Sequence, residues 1–290
     1  MKNFNNVILG ICILISFYSC KKADVGTSTN IPANNGSNVI QSAPAPAGTT
    51  SKGSPNGGFS IGRLSDWVIL GVQHTEVELD EGTKVNGGKT GVGPAGEFEV
   101  EEQSIINSDV FLHNGVHVDK MESVINGSNN IHQNLAYLIG ETNRVSNEAA
   151  QMPATVTLND VTTTTTIVGN GTKNVINMHK LKLDHNESLV LSGNSQEQFI
   201  INIADGMELE GTANIITAGG ARSSNVLINI LGHDKKVSSK ITNTINGTIL
   251  APDSEVEVGN VNGQVICGGE ELETEEDAII NFIPFGSSGA

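Results

Sequence analysis

Residues 245–258 read INGTILAPDSEVEV, and residues 261–274 read VNGQVICGGEELET. The two stretches align sixteen positions apart: Ile245 on Val261, Asn246-Gly247 on Asn262-Gly263, Ile249-Leu250 on Val265-Ile266, and Val256 on Leu272. Apolar and polar residues alternate in each, the period of two that marks a strand with one buried face. A repeat of this length, with short strands and an Asn-Gly in each copy, fits one coil of a β-solenoid. Such a fold offers long flat flanks rather than a deep pocket. Adhesion or scaffolding is therefore expected before catalysis.

The pattern extends outward from the repeat. Glu76-Val77-Glu78-Leu79-Asp80, Glu97-Phe98-Glu99-Val100-Glu101, Leu181-Lys182-Leu183 and Glu255-Val256-Glu257-Val258 all alternate charge with an apolar residue. Asn86-Gly87, Asn114-Gly115, Asn126-Gly127, Asn170-Gly171 and Gly219-Gly220 punctuate the runs. Asparagine and glycine tolerate the positive φ that coil corners require. Hairpins use the same dipeptide, so the regular repeat, not the turn chemistry, decides for a solenoid. One stretch breaks the rhythm: Ile131, Leu135, Leu138, Val145 and Ala149 form a helical stripe. The expected fold is all-β, a β-solenoid over 59–286 with one flanking helix at about 130–151 and a short tail at 287–290.

The N-terminus gives an address. Lys2 precedes the twelve-residue apolar run VILGICILISFY (7–18), too short to span a bilayer comfortably and suited to an export signal over residues 1–19. Ser19-Cys20-Lys21-Lys22 follows and resembles the lipobox of bacterial lipoproteins, with Phe17 departing from the usual aliphatic residue. That resemblance implies lipidation of Cys20 and attachment to the cell envelope, at the outer membrane. Residues 21–58 are rich in Gly, Ser, Thr, Asn, Ala and Pro and are expected to be a flexible linker with ends about 35 Å apart. With Cys12 removed and Cys20 acylated, only Cys267 remains, so no intrachain disulfide is expected. It replaces Ala251 of the other repeat and reads as a small buried thiol.

The formal charge is −16, with three arginines at Arg63, Arg144 and Arg222. Nucleic acid is excluded as a partner, because phosphate neutralisation needs clustered Lys and Arg. Stacking Glu255 and Glu257 over Glu271 and Glu273 would place like charges about 4.8 Å apart. These four glutamates are the candidate calcium ladder, set against the plainer reading of a solvated, solubilising face. His113 and His117, near Asp109 and Asp119, have a spacing that zinc could use on a continuous strand, but the intervening Asn114-Gly115 suggests a turn that splays them. Thr242, Thr244, Asn246 and Thr248 fall at alternate positions, the candidate binding face, although Thr is also simply a good strand former. No Gly-x-Ser-x-Gly, Cys-x-x-Cys or His-Glu-x-x-His occurs, so no catalytic residue and no cofactor are expected.

The segments Asn225–Ile230 (NVLINI), Ile245–Pro252 (INGTILAP), Gly259–Ile266 (GNVNGQVI) and Pro284-Phe285 resemble the choice-of-anchor A family of adhesive, collagen-binding-type domains. Asn174–Asn177, Gln198–Asn202 and Val92-Gly93-Pro94 fit the same pattern. A fainter similarity runs to the ice-binding β-solenoids, which implies a right-handed coil with a helix beside it. The resemblance implies a surface role and brings no catalytic residues. Cys267 and the acidic run from Glu270 to Asp277 depart from it. The expected function is thus a lipid-anchored, non-catalytic adhesive head for an extracellular matrix protein or glycan. An ice-binding protein and a structural envelope component are the alternatives.

Overall fold

The computed structural model describes residues 38–43 and 58–287. The expected signal at 1–19, Cys20 and the tail from 288 lie outside the described residues. No helix among the described residues is long and apolar enough to cross a membrane.

Every strand pairing is parallel, with local register shifts at Met178–Lys180, Trp67–Ile69, Asn86–Lys89 and Phe111–His113, and the chain builds a three-sided solenoid. The alternation read from the sequence is what folds it. Along one inner column Ile176, Ile201, Ile228, Ile249, Val265 and Ile69 stack in successive coils, all with no exposed surface. A second column runs Val256, Leu272, Val77 and Phe98, and a third Ile215, Ile245, Val261, Ile280, Val85 and Ile106. Each such side chain contributes about 1.5–3 kcal/mol by leaving water.

The coils are not stacked in chain order. Residues 67–133 wind away from a central junction, and residues 156–282 wind back toward it. There the last coil pairs with the first: Val265 with Ile69, Leu272 with Val77, Ile280 with Val85. Coil length varies as well. Stacked asparagines are 16 residues apart at Asn246 and Asn262, 19 at Asn262 and Asn281, and 27 at Asn202 and Asn229.

The single helix, α1, spans Tyr137–Ala150, shorter than the 130–151 expected. The N-terminal part of that stripe is a strand, Asn129–Gln133, on which Ile131 is exposed. Ile131 matches the helical spacing, but it lies on the last strand of one flank, and tertiary pairing overrides local pattern there. α1 carries Leu138, Val145 and Ala149 into one buried cluster with Ile200, Leu227, Leu250, Ile266, Leu70, Leu64 and Phe285. The strands it packs on directly are Gln198–Leu209 and Val226–Ile230. Asn202 Nδ2 donates to Ala149 O (3.0 Å) and Asn229 Nδ2 to Ser146 O (3.1 Å), tying the last turn of the helix to the coil through the spare lone pairs of its carbonyls.

The linker expected over 21–58 is partly ordered into the head. Asn38–Gln41 forms a strand paired with Thr165–Val168 at one end of the stack. Its Ile40 packs against the core, which explains why this short apolar patch in a polar stretch leaves the coil state.

Candidate functional site

The three sides of the solenoid differ in what they show to water. The covered flank lies under α1 and residues 59–66. Its central polar residue, Gln264, is fully buried. Gln264 Nε2 donates to Leu64 O (2.8 Å) and Trp67 O (2.6 Å), while Oε1 accepts from Phe285 N (2.9 Å) and Thr248 Oγ1 (3.2 Å). One amide thus ties the N-terminal segment and the C-terminus to the coil.

The charged flank carries the alternating acids. Its strands stack as 180–183, 206–209, Lys236–Ser239, Glu255–Val258, Glu271–Thr274, Glu76–Leu79, Glu97–Val100 and His117–Lys120. Toward one end the charges alternate in sign. Lys180 and Lys182 hold Glu208 at 2.5 and 2.7 Å, Lys236 holds Glu257 at 2.5 Å, and Lys240 bridges Glu257 and Glu275. Burial works against the ionised Glu257, but hydrogen bonds from Lys236 and Lys240 hold its carboxyl down at about 2. Past the junction the rows are nearly all acidic, and among the described residues no ion pair reaches Glu273, Glu78 or Glu99. Burial, then the neighbouring Glu273, Glu99, Glu101 and Glu76, push Glu78 up to about 7. Burial followed by Glu273 and Glu78 does the same to Asp80, whose Oδ1 is enclosed without a hydrogen bond.

The neutral flank is the third side. Its strands are Asn38–Gln41, Thr165–Val168, Ser188–Ser192, Asn214–Ala218, 244–246, 260–263, Ile279–Phe282, 84–86, 105–107 and Val124–Ile125. Lys84 is the one charged residue in all of them. At one edge runs a continuous amide ladder: each Nδ2 donates to the next Oδ1 from Asn126 through Asn107, Asn86, Asn281 and Asn262 to Asn246, at 2.7–3.0 Å. Each asparagine keeps one N–H and one lone pair free of the ladder. Beyond it the same column continues with Ile216, Val190 and Thr166.

The four polar residues read as one binding face separate in the structure. Thr244 and Asn246 lie on the neutral flank, and Thr242 is exposed at a corner, where it donates to Gly211 O. Thr248 is fully buried on the covered flank, because Gly247, with φ at +150°, turns the chain between them. Of the four candidate metal ligands, Glu257 does stack on Glu273, but lysines already claim Glu257, and Glu255 is exposed. Among the described residues Glu78, Glu99 and Glu101 bring their ligand atoms within 4.8 Å of one another. The glutamates of the repeat do not belong to it. His113 accepts from Leu135 N (3.1 Å) while His117 sits 3.6 Å from Glu97, so the turn does splay them. Cys267 is fully buried, and burial pushes its thiol up to about 12.

The chain is thus a parallel solenoid with a covering helix, one charged flank and one neutral flank. Residues 22–271 match the family described as "Putative Ice-binding-like adhesive domain", and the chain belongs to that family. Two solved structures share the fold. One is an ice-binding protein with antifreeze activity from an Arctic yeast (18% identity, TM-score 0.53, covering 80% of this chain and 98% of that one). The other is an ice-binding protein from an Antarctic biological consortium (14% identity, TM-score 0.51, covering 81% and 94%). A search of curated proteins finds no match. The family and the fold agree with the adhesive-type domain and the ice-binding likeness read from the sequence.

Proposed function

We propose that the protein is a non-catalytic adhesin of the cell envelope, held by lipid on Cys20 and contacting an ordered, uncharged surface through its neutral flank. The observation that carries this reading is the near-absence of charge from ten stacked strands of a chain with formal charge −16. A flat sheet of Thr, Ser, Asn, Val and Ile loses little desolvation energy when it meets a neutral partner, whereas each unpaired charge brought to a contact costs several kcal/mol. A neutral glycan or a fibrous matrix protein suits such a face. The charged flank keeps the head soluble and discourages side-by-side aggregation.

Protease shaving of intact cells, followed by blotting for residues 59–286, tests the location. Loss of the head supports display at the surface. Full protection overturns adhesion to external surfaces and favours a structural envelope role.

Ice is the second reading, favoured by the two ice-binding proteins that share the fold. Thermal hysteresis separates the two: an adhesin of glycans shows none, and a measurable freezing gap makes ice the partner.

A further inference from the structure

We infer that the end of the solenoid formed by residues 117–133 is a self-association surface on which a second copy of this chain docks tip to tip. The inner column of the charged flank runs Leu272, Val77, Phe98 and then Val118. Phe98 is 1% exposed and Val118 is 44% exposed. Val118 therefore occupies a core position with a coil on one side and water on the other. Three more of the eight exposed large apolar residues, Met121, Val124 and Ile131, lie in this same terminal coil. The strands His117–Lys120 and Val124–Ile125 each pair along one edge, which leaves a row of backbone donors and acceptors ready for another strand.

The helix gives no cover here, since α1 leaves this end to pack on Gln198–Leu209 and Val226–Ile230. The first described residue, Asn38, sits at the opposite end of the stack. Charge argues for a second copy over a foreign segment. Copies of a chain at −16 repel along their acidic rows, yet residues 114–133 carry only Asp119, Glu122, Lys120, His117 and His132. A two-fold axis centred on Val118 sets the edge strand antiparallel to itself. Val118 then meets Val118, and His117 faces Asp119 twice, a pair whose side chains can hydrogen-bond across the strands. The inference is independent of what the neutral flank binds.

Sedimentation velocity of the full chain, in detergent where the chain is acylated, is run from about 1 to about 100 µM, the range of ordinary reversible dimers. Concentration-dependent dimers are expected, and Val118→Lys should weaken them at least about tenfold by placing like charges in contact. Val118→Cys should give, on mild oxidation, a disulfide mapped by mass to residue 118 of both copies, since directly opposed residues lie about 4.5–5.5 Å apart. A monomer throughout overturns the inference. So does a dimer insensitive to Val118→Lys, as one held by a shared micelle would be, and so does oxidation without the 118–118 link. If Val118→Lys does not fold, the cysteine variant decides alone.

Discussion

The charged and neutral flanks are built by the same rule and end in opposite surfaces. On both, every second residue points inward to columns made mostly of Val, Ile, Leu, Met or Phe, with Ser239, Thr274 and Thr165 among them. On the charged flank the outward positions run Glu255 and Glu257, Glu271 and Glu273, Glu76 and Glu78, Glu97 and Glu99. On the neutral flank they run Asn246, Asn262, Asn281, Asn86 and Asn107. The inward half of the pattern makes the coil, and the outward half is free to carry function. One flank spends that freedom on solubility at some electrostatic cost, and the other forms a hydrogen-bonded, uncharged plane.

The largest expected effect breaks the neutral plane. Val190 and Ile216 are stacked neighbours on it, and Val190→Glu with Ile216→Glu should lower retention on the bound surface about a hundredfold, because an unpaired charge desolvated at a contact costs several kcal/mol. The matching change on the other flank, Glu76→Gln with Glu97→Gln, should leave retention unchanged. Next in size, Asn281→Ala cuts the amide ladder in its middle. Urea unfolding should show a loss of about 1–2 kcal/mol, for two hydrogen bonds and the partners left half-satisfied.

A pH series sharpens the contrast from the acidic side. Glu78 and Asp80 titrate at about 7 when folded, well above the usual carboxylate values. The folded chain therefore binds more protons than the unfolded chain between about pH 4 and 7. Stability should rise as pH falls through 7 and level off below the unfolded values. Solvent screening of these half-exposed groups limits the gain to about 1 kcal/mol. The combined change Glu78→Gln and Asp80→Asn should flatten that slope, as read by melting at pH 8 and pH 5. The smallest effect falls on neither flank: Thr242→Ala at the exposed corner should shift stability by less than about 0.5 kcal/mol.

Much of this architecture was legible because residues 245–274 hold two adjacent coils of equal length. Their register, Ile245 on Val261 and Glu257 on Glu273, could be read directly. The junction could not, since pairing the first coil with the last joins residues nearly two hundred positions apart. The six members of the asparagine ladder are spaced by unequal coils, which hides them from a search at one period. Asn86, Asn126 and Asn262 read as turn residues, and Asn246 both as one and as part of the candidate binding face. Thr248 and Gln264 look like surface positions because they are polar and outward, and only the docking of Phe285 and residues 59–66 makes them core. Local alternation encodes the coil, while which outward face becomes buried depends on distant segments.

The most direct test of the neutral flank uses its single charged residue. Lys84 is exposed there, and Lys180, Lys182, Lys236 and Lys240 lie on or beside the charged flank. Amine acylation of the protein while it is bound to its surface, followed by peptide mass mapping, reads all five at once. Protection confined to Lys84 is the predicted result. Protection of the charged-flank lysines, with Lys84 fully reactive, would contradict the account.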